Sequence, residues 1–299
     1  MLVQSRPFEF MVRYTPQREW IEGKGVLLWL AFFFIELGAG MFVIASLFNS
    51  IPGMLIGWLI CGVLGGGSHL AYLGKPLNFY RAFLRPTTSW ISRGMSFVMG
   101  FLVLGFIHMV LAQFLGISSA ILIIIVDILA FLTVIYGGFA MNFVNGIPLW
   151  NTALLPILYV VAGFWGGAEM ASGVAAAIGG EATLAHNVAY ILLLALILII
   201  PSYLISVRYG SPAGGLSAKE IIAGKRWPLF WIIVVLIGII LPVCASFATL
   251  LFGLHLPLIV LWVAIICGLV GDLTMRFLLL KNGYYAPLTP ISDVPTSAI

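Results

Sequence analysis

The chain has 299 residues, of which 62% are hydrophobic and 8% charged, with 14 Lys and Arg against 10 Asp and Glu. So little polar surface excludes an ordinary soluble enzyme or nucleic-acid-binding module and marks an integral membrane protein. Its apolar stretches are continuous rather than alternating, which excludes a transmembrane barrel of strands about 10 residues long.

In chain order, residues 1–24 read as a basic N-terminal tail carrying Arg6, Arg13, Arg18 and Lys24, without the short apolar core of a removable targeting segment. Eight apolar runs follow, near 25–47, 51–73, 94–115, 119–141, 152–178, 185–207, 228–252 and 256–280. Each reaches the roughly 20 residues that a helix needs to cross a bilayer, and their scattered Gly and Ala suit close helix packing. The predicted fold class is therefore an all-α integral membrane protein of eight transmembrane helices. Helices one to four occupy 25–141 with an interfacial segment at 74–93, helices five to eight occupy 142–280 with a loop at 208–227, and 281–299 form a C-terminal tail.

Ionisable groups inside the spans are costly in hydrocarbon and so are functional candidates. Glu36 lies mid-way along the first span in "FFFIELGAG". The second span ends in "GGGSHLAYLGKPLNFYRAFLRPTTSWISRG", residues 65–94, where three glycines ahead of His69 predict room for a planar molecule beside the imidazole. Within it, Leu77, Tyr80, Phe83 and Leu84 recur at helical spacing opposite Arg81 and Arg85, which predicts a short helix lying in the interface. Asp127 falls in the outer half of the fourth span and Glu169 in the fifth, in "FWGGAEMASG". Glu36 and Glu169 have no cationic partner nearby in sequence and read either as hydrogen-bonding bridges between helices or, with Asp127, as a proton relay. In "SPAGGLSAKEIIAGKRW", Ser217 and Glu220 have capping-box spacing, predicting a second short helix after the glycines. Asp272 and Arg276 stand four apart in the last span, the spacing of a structural ion pair. "ELGAGMFVIAS" and "GGAEMASGVAA" each embed an acid in small residues, a weak internal similarity.

A haem of the b type needs two imidazoles at similar depth on facing helices. His69 falls at the inner end of the second span, His108 in the outer half of the third, and His186 and His255 near the outer surface, which argues against haem in this chain. Cys61, Cys244 and Cys267 fall in separate spans without paired spacing, so no metal or cluster is expected and they read as packing residues.

With eight spans, all 14 basic residues fall on the side that holds both termini: four in the tail, Lys75, Arg81, Arg85 and Arg93 after the second span, Arg208, Lys219, Lys225 and Arg226 after the sixth, then Arg276 and Lys281. The positive-inside rule predicts that this side is cytoplasmic. The same charges either set topology alone or also form a docking face for a partner.

The segment "SHLAYLGKPLNFYRAFLRPTTSWISRG" resembles the corresponding boundary of the NrfD-like membrane subunits, the family of the polysulfide reductase anchor and, more distantly, the dimethyl sulfoxide reductase anchor. "YGGFAMNFVNGIPLWNTALLPILYVVAGFWGGA", residues 136–168, looks like the family's span-four tyrosine turn, Pro-x-Trp-Asn loop and following helix. Two packed four-helix bundles are what this resemblance implies. It further implies a quinone-reactive anchor, with no metal of its own, in a multi-subunit oxidoreductase of an inner (cytoplasmic) membrane. Electrons would pass between menaquinone or ubiquinone and a ferredoxin-like iron–sulfur subunit, which serves a molybdopterin catalytic subunit.

The family's quinone-site histidine and tyrosine carry over to His69 and Tyr136, with Tyr72 and Arg93 as further quinone-binding candidates. Histidine and phenol groups suit the task, because quinone reduction takes up two protons and both side chains hydrogen-bond and exchange protons. Arg93 and Lys75 either polarise a head-group carbonyl or dock the partner. Gly94 stands where relatives of the dimethyl sulfoxide reductase anchor have an acid, so that acid's role does not transfer. In the better-known members the quinone site faces the periplasm, whereas the charge bias here places it on the cytoplasmic side. A secondary transporter or ion-translocating protein that uses the buried carboxylates is the alternative reading.

Overall fold

In the computed structural model of the chain, the residues described are 9–180, 182–252 and 257–289; Arg6 and His255 lie outside them. Among the described residues, eight helices are long and apolar enough to cross a membrane. They are α1 Gly25–Ser46, α2 Ile51–Tyr72, α3 Trp90–Leu115, α4 Ala120–Asn142, α5 Leu154–Ala177, α6 Thr183–Gly210, α7 (Leu229–Ile240 continuing as Leu241–Phe252) and α8 Leu258–Lys281. The protein is an all-α membrane protein. The third span starts earlier than hydropathy alone predicts, because the Ser89 side chain accepts a hydrogen bond from the Ser92 amide and caps the helix ahead of the apolar run.

Helices α1 and α5 form the centre. The most apolar stretch of α1 is 72% buried and that of α5 67%, against 33% or less in the other six. They pack most extensively on each other, and glycine is what permits it. A Cβ at Gly40 would lie 2.4 Å from the Gly163 carbonyl oxygen, and one at Gly167 would lie 2.4 Å from the backbone of Gly40 and Met41. The two segments that share an acid among small residues are thus the two faces that meet, with α2, α4 and α8 also on α1, and α4, α6 and α8 also on α5.

Two helices depart from α geometry. α2 is π-helical over Ile60–Gly66 before its final α turn, Gly67–Tyr72, and α7 begins as a π-helix over Leu229–Ile240. π-Helical geometry often marks functional positions. The expected interfacial helix is present over Pro76–Phe83 as a 3-10 helix. Three residues per turn brings Leu77, Tyr80 and Phe83 into one row, so their sequence spacing fits this tighter winding better than an α-helix. Leu77 is 91% exposed, as a side chain facing lipid would be.

The second short helix differs from expectation. It spans Pro212–Ile222 and is capped by Ser211, whose hydroxyl accepts from the Gly214 amide at 3.1 Å. Ser217 is not a cap. It is buried mid-helix, donating to the Ala213 carbonyl and accepting from the Tyr284 amide. Pro212 at the first helical position, pre-set for helical φ, explains why the helix starts before the glycines.

The tails are tied together on the basic side. Strand β1, Thr15–Pro16, pairs antiparallel with β2, Tyr284–Tyr285. Gln17 reinforces the pair through its amide to Gly283 and its side chain to the Leu280 carbonyl. Glu22 bridges to Lys281, whose ammonium holds the Glu22 carboxyl below its usual range. This strap lays Trp20 against Phe32 and Trp150, with ring centroids at 6.1 and 5.1 Å.

Candidate functional site

His69 sits in the last α turn of α2, and Tyr136 in the half of α4 nearest the basic side. The fold brings them together: His69 Nε2 and the Tyr136 hydroxyl share a hydrogen bond of 3.2 Å. Tyr136 is buried to 1% exposure. His69 Nδ1 is also buried and has no hydrogen-bond partner among the described residues. Phe32 of α1 touches both rings edgewise or tilted at 5.8 Å, and Tyr72, Trp20 and Trp90 complete the apolar wall. Trp90 itself stacks on Phe139 at 4.6 Å.

Gly94 decides how closely α3 approaches this site. A Cβ there would lie 1.9 Å from the Tyr136 ring, so no larger residue fits while the phenol points at His69. The glycines ahead of His69 differ in their surroundings. Gly65 is a packing contact, since a Cβ would meet Ile35 backbone nitrogen at 2.8 Å, whereas Gly67 faces open space.

Arg93 points elsewhere. Its guanidinium donates to the Pro86 and Thr87 carbonyls at 2.6 Å each and lies 4.9 Å over the Trp90 ring. It thus staples the loop before α3 to the helix, and it bears on the His69–Tyr136 pair only by holding Trp90.

One turn further along α1, on the face of Phe32, stands a charged cluster. Arg276 of α8 is 2% exposed and donates to Glu36 Oε2 at 2.6 Å and to both Asp272 oxygens at 3.1 and 3.2 Å. Its guanidinium lies 4.5 Å over Tyr159 of α5. Sequence spacing links Asp272 with Arg276, but only the fold adds Glu36, because that partner is 240 residues away. Glu36 therefore has a cationic partner, one far away in sequence, and among the described residues its Oε1 is buried without a hydrogen bond. That atom faces Gly137, where a Cβ would approach it to 2.0 Å. Two carboxyl groups thus face a single guanidinium in the interior of the helix bundle.

The other acids lie apart from these groups along the chain. Asp127 accepts from Ser46 at 3.0 and 2.9 Å, bridging α4 to the far end of α1. Glu169 is buried in α5 beyond its crossing with α1. Phe32, Trp20 and Trp90 had no polar signal to single them out. Phe32 was detectable only as the residue one turn before Glu36 on the same face.

The fold defines a multi-pass membrane protein with a buried histidine–tyrosine pair near one end of its helices. A family model described as Polysulphide reductase, NrfD matches residues 24–287, so the chain belongs to that family. It is accordingly a membrane subunit of a respiratory oxidoreductase complex, from a family whose members typically partner with iron–sulfur subunits. A search of curated proteins finds no match.

Proposed function

We propose that the chain is the quinone-reactive anchor of its complex, exchanging electrons between a menaquinone or ubiquinone pool and an iron–sulfur subunit docked on its basic face. That subunit serves a molybdopterin catalytic subunit, where the substrate chemistry takes place. The observation that carries this reading is His69: one ring nitrogen is held by Tyr136 while the other is buried without a partner among the described residues. An unpaired buried nitrogen is costly unless a ligand satisfies it, and a quinone carbonyl or hydroxyl is the complementary group.

The quinone, when bound, supplies two-electron, two-proton chemistry. The protein's own contributions are positional. Tyr136 fixes the imidazole plane, and His69 Nδ1 offers a hydrogen bond and a proton-exchange site at the head group. Phe32, Tyr72 and Trp90 present flat apolar surfaces to a ring and keep water out. In this reading the Glu36–Arg276–Asp272 cluster lies one helical turn deeper and serves as the proton store, with Glu169 and Asp127 continuing a relay toward the far side. The membrane is the inner (cytoplasmic) one, with both termini cytoplasmic by the positive-inside rule.

The same buried cluster is what favours the alternative, an ion-translocating protein, because mid-membrane acids mark ion paths in such proteins. A photoreactive quinone analogue separates the two. Labelling of residues 67–72 or 132–140 in the assembled complex, competed by excess quinone, is expected; labelling confined to other segments, or none that competes, contradicts the site.

A further inference from the structure

A second feature involves none of the residues placed in the His69–Tyr136 pair or the Glu36–Arg276–Asp272 cluster. Between α6 and α7 is a groove of about 490 Å³ lined by apolar side chains, mostly aliphatic with Phe230 and Trp231 among them, and with Arg208 as its one charged lining residue. Two breaks in helical regularity face each other across it. Pro201 lies inside α6, where it removes a backbone donor, and the facing part of α7 is the π-helical segment Leu229–Ile240. The rim is pinned by Trp231, whose indole donates to the Ile222 carbonyl at 3.0 Å.

Depth and charge together say what fits. The α6 lining residues run from Ile197 to Arg208, which at about 1.5 Å per residue is about 16 Å. That is close to half of a hydrocarbon core about 30 Å thick, or one leaflet. Arg208 is exposed at the end of the groove where the helix leaves the membrane on the basic side. Its guanidinium lies 6.0 Å from the ring centroid of its neighbour Tyr209 and, among the described residues, faces no carboxylate within salt-bridge distance. Lys225, three residues past the lining residue Ile222, is exposed on the adjoining loop. Basic pockets between transmembrane helices select anionic head groups, while an apolar channel one leaflet deep takes the chain beneath.

We infer that this groove binds an anionic phospholipid, one acyl chain lying between α6 and α7 and its phosphate paired with Arg208. The site holds lipid and carries no part of the electron path.

Native mass spectrometry of the purified full chain, released gently from detergent, reads this directly after add-back of phosphatidylglycerol or phosphatidylcholine. The expected result is one phosphatidylglycerol retained per chain at least five-fold over phosphatidylcholine, with Arg208→Gln abolishing the preference. Ile205→Phe with Ile240→Phe, two exposed lining positions, should fill the channel and remove retention of either lipid while the thermal unfolding profile stays two-phase-free and within a few degrees of the parent. Equal retention of both lipids, a preference unchanged by Arg208→Gln, or retention unchanged by the filling pair would overturn the proposal. So would a quinone, or a second copy of the chain, found in the groove in place of lipid.

Discussion

Arg276 is the residue on which the interior depends most heavily. Its guanidinium is shared by Glu36 and Asp272 and is sealed under Tyr159. Removing one partner of a buried ion pair leaves uncompensated charge and costs about 3–5 kcal/mol, more than a well-packed apolar replacement of the whole group would. Arg276→Gln is therefore expected to lower the thermal unfolding temperature markedly in detergent, and adding Glu36→Gln should recover part of the loss. Equal stability of Arg276→Gln and the parent would show that the cluster is not an ionic unit. The sequence announced half of this cluster through the four-residue spacing of Asp272 and Arg276. Glu36 was invisible as a partner because the contact depends on how α1 and α8 meet, which no local pattern encodes. The His69–Tyr136 pair was reached through motif resemblance and not spacing, and its wall of Phe32 and Trp90 looked like any other apolar stretch.

Among the helices, α1 and α5 set the architecture, since their glycines replace side chains at the crossing. Gly167→Val is expected to destabilise the protein by about 1–3 kcal/mol or more, because the atoms in its way are the backbone of Gly40 and Met41 and cannot rotate aside. A thermal melt checks it, and an unchanged midpoint would mean that the crossing is looser than the geometry indicates. All eight spans were legible from hydropathy, as the bilayer demands length and apolarity of every one. Helix ends were less so: a capping serine moved the start of α3, and Ser211 with Pro212 displaced the second short helix from its predicted start. The strap made by β1 and β2 was not legible at all, because two-residue strands carry no periodicity and their pairing joins opposite ends of the chain.

Across the whole molecule, the strap, the 3-10 segment, the Pro212–Ile222 helix and the His69–Tyr136 pair belong to one end of the bundle, where the basic residues gather. The positive-inside rule predicts that this end faces the cytoplasm, and that placement is part of the proposal. Fusions at the C-terminus are expected to be active with a cytoplasm-dependent reporter and silent with a periplasm-dependent one; the reverse pattern would invert the placement. If the proposed iron–sulfur partner is acidic, an end that is basic, structured and adjacent to the His69–Tyr136 pair would receive it, because complementary fields speed docking and fix its register.

The central claim, that His69 and Tyr136 exchange protons and hydrogen bonds with quinone, is tested most directly by two activities of the same membrane-bound complex. His69→Ala is expected to cut quinone-linked turnover by at least ten-fold, and Tyr136→Phe to slow it, while turnover of the catalytic subunit with a soluble dye stays at the parental level. Quinone-linked and dye-linked rates that remain in the parental ratio in both variants would contradict the account.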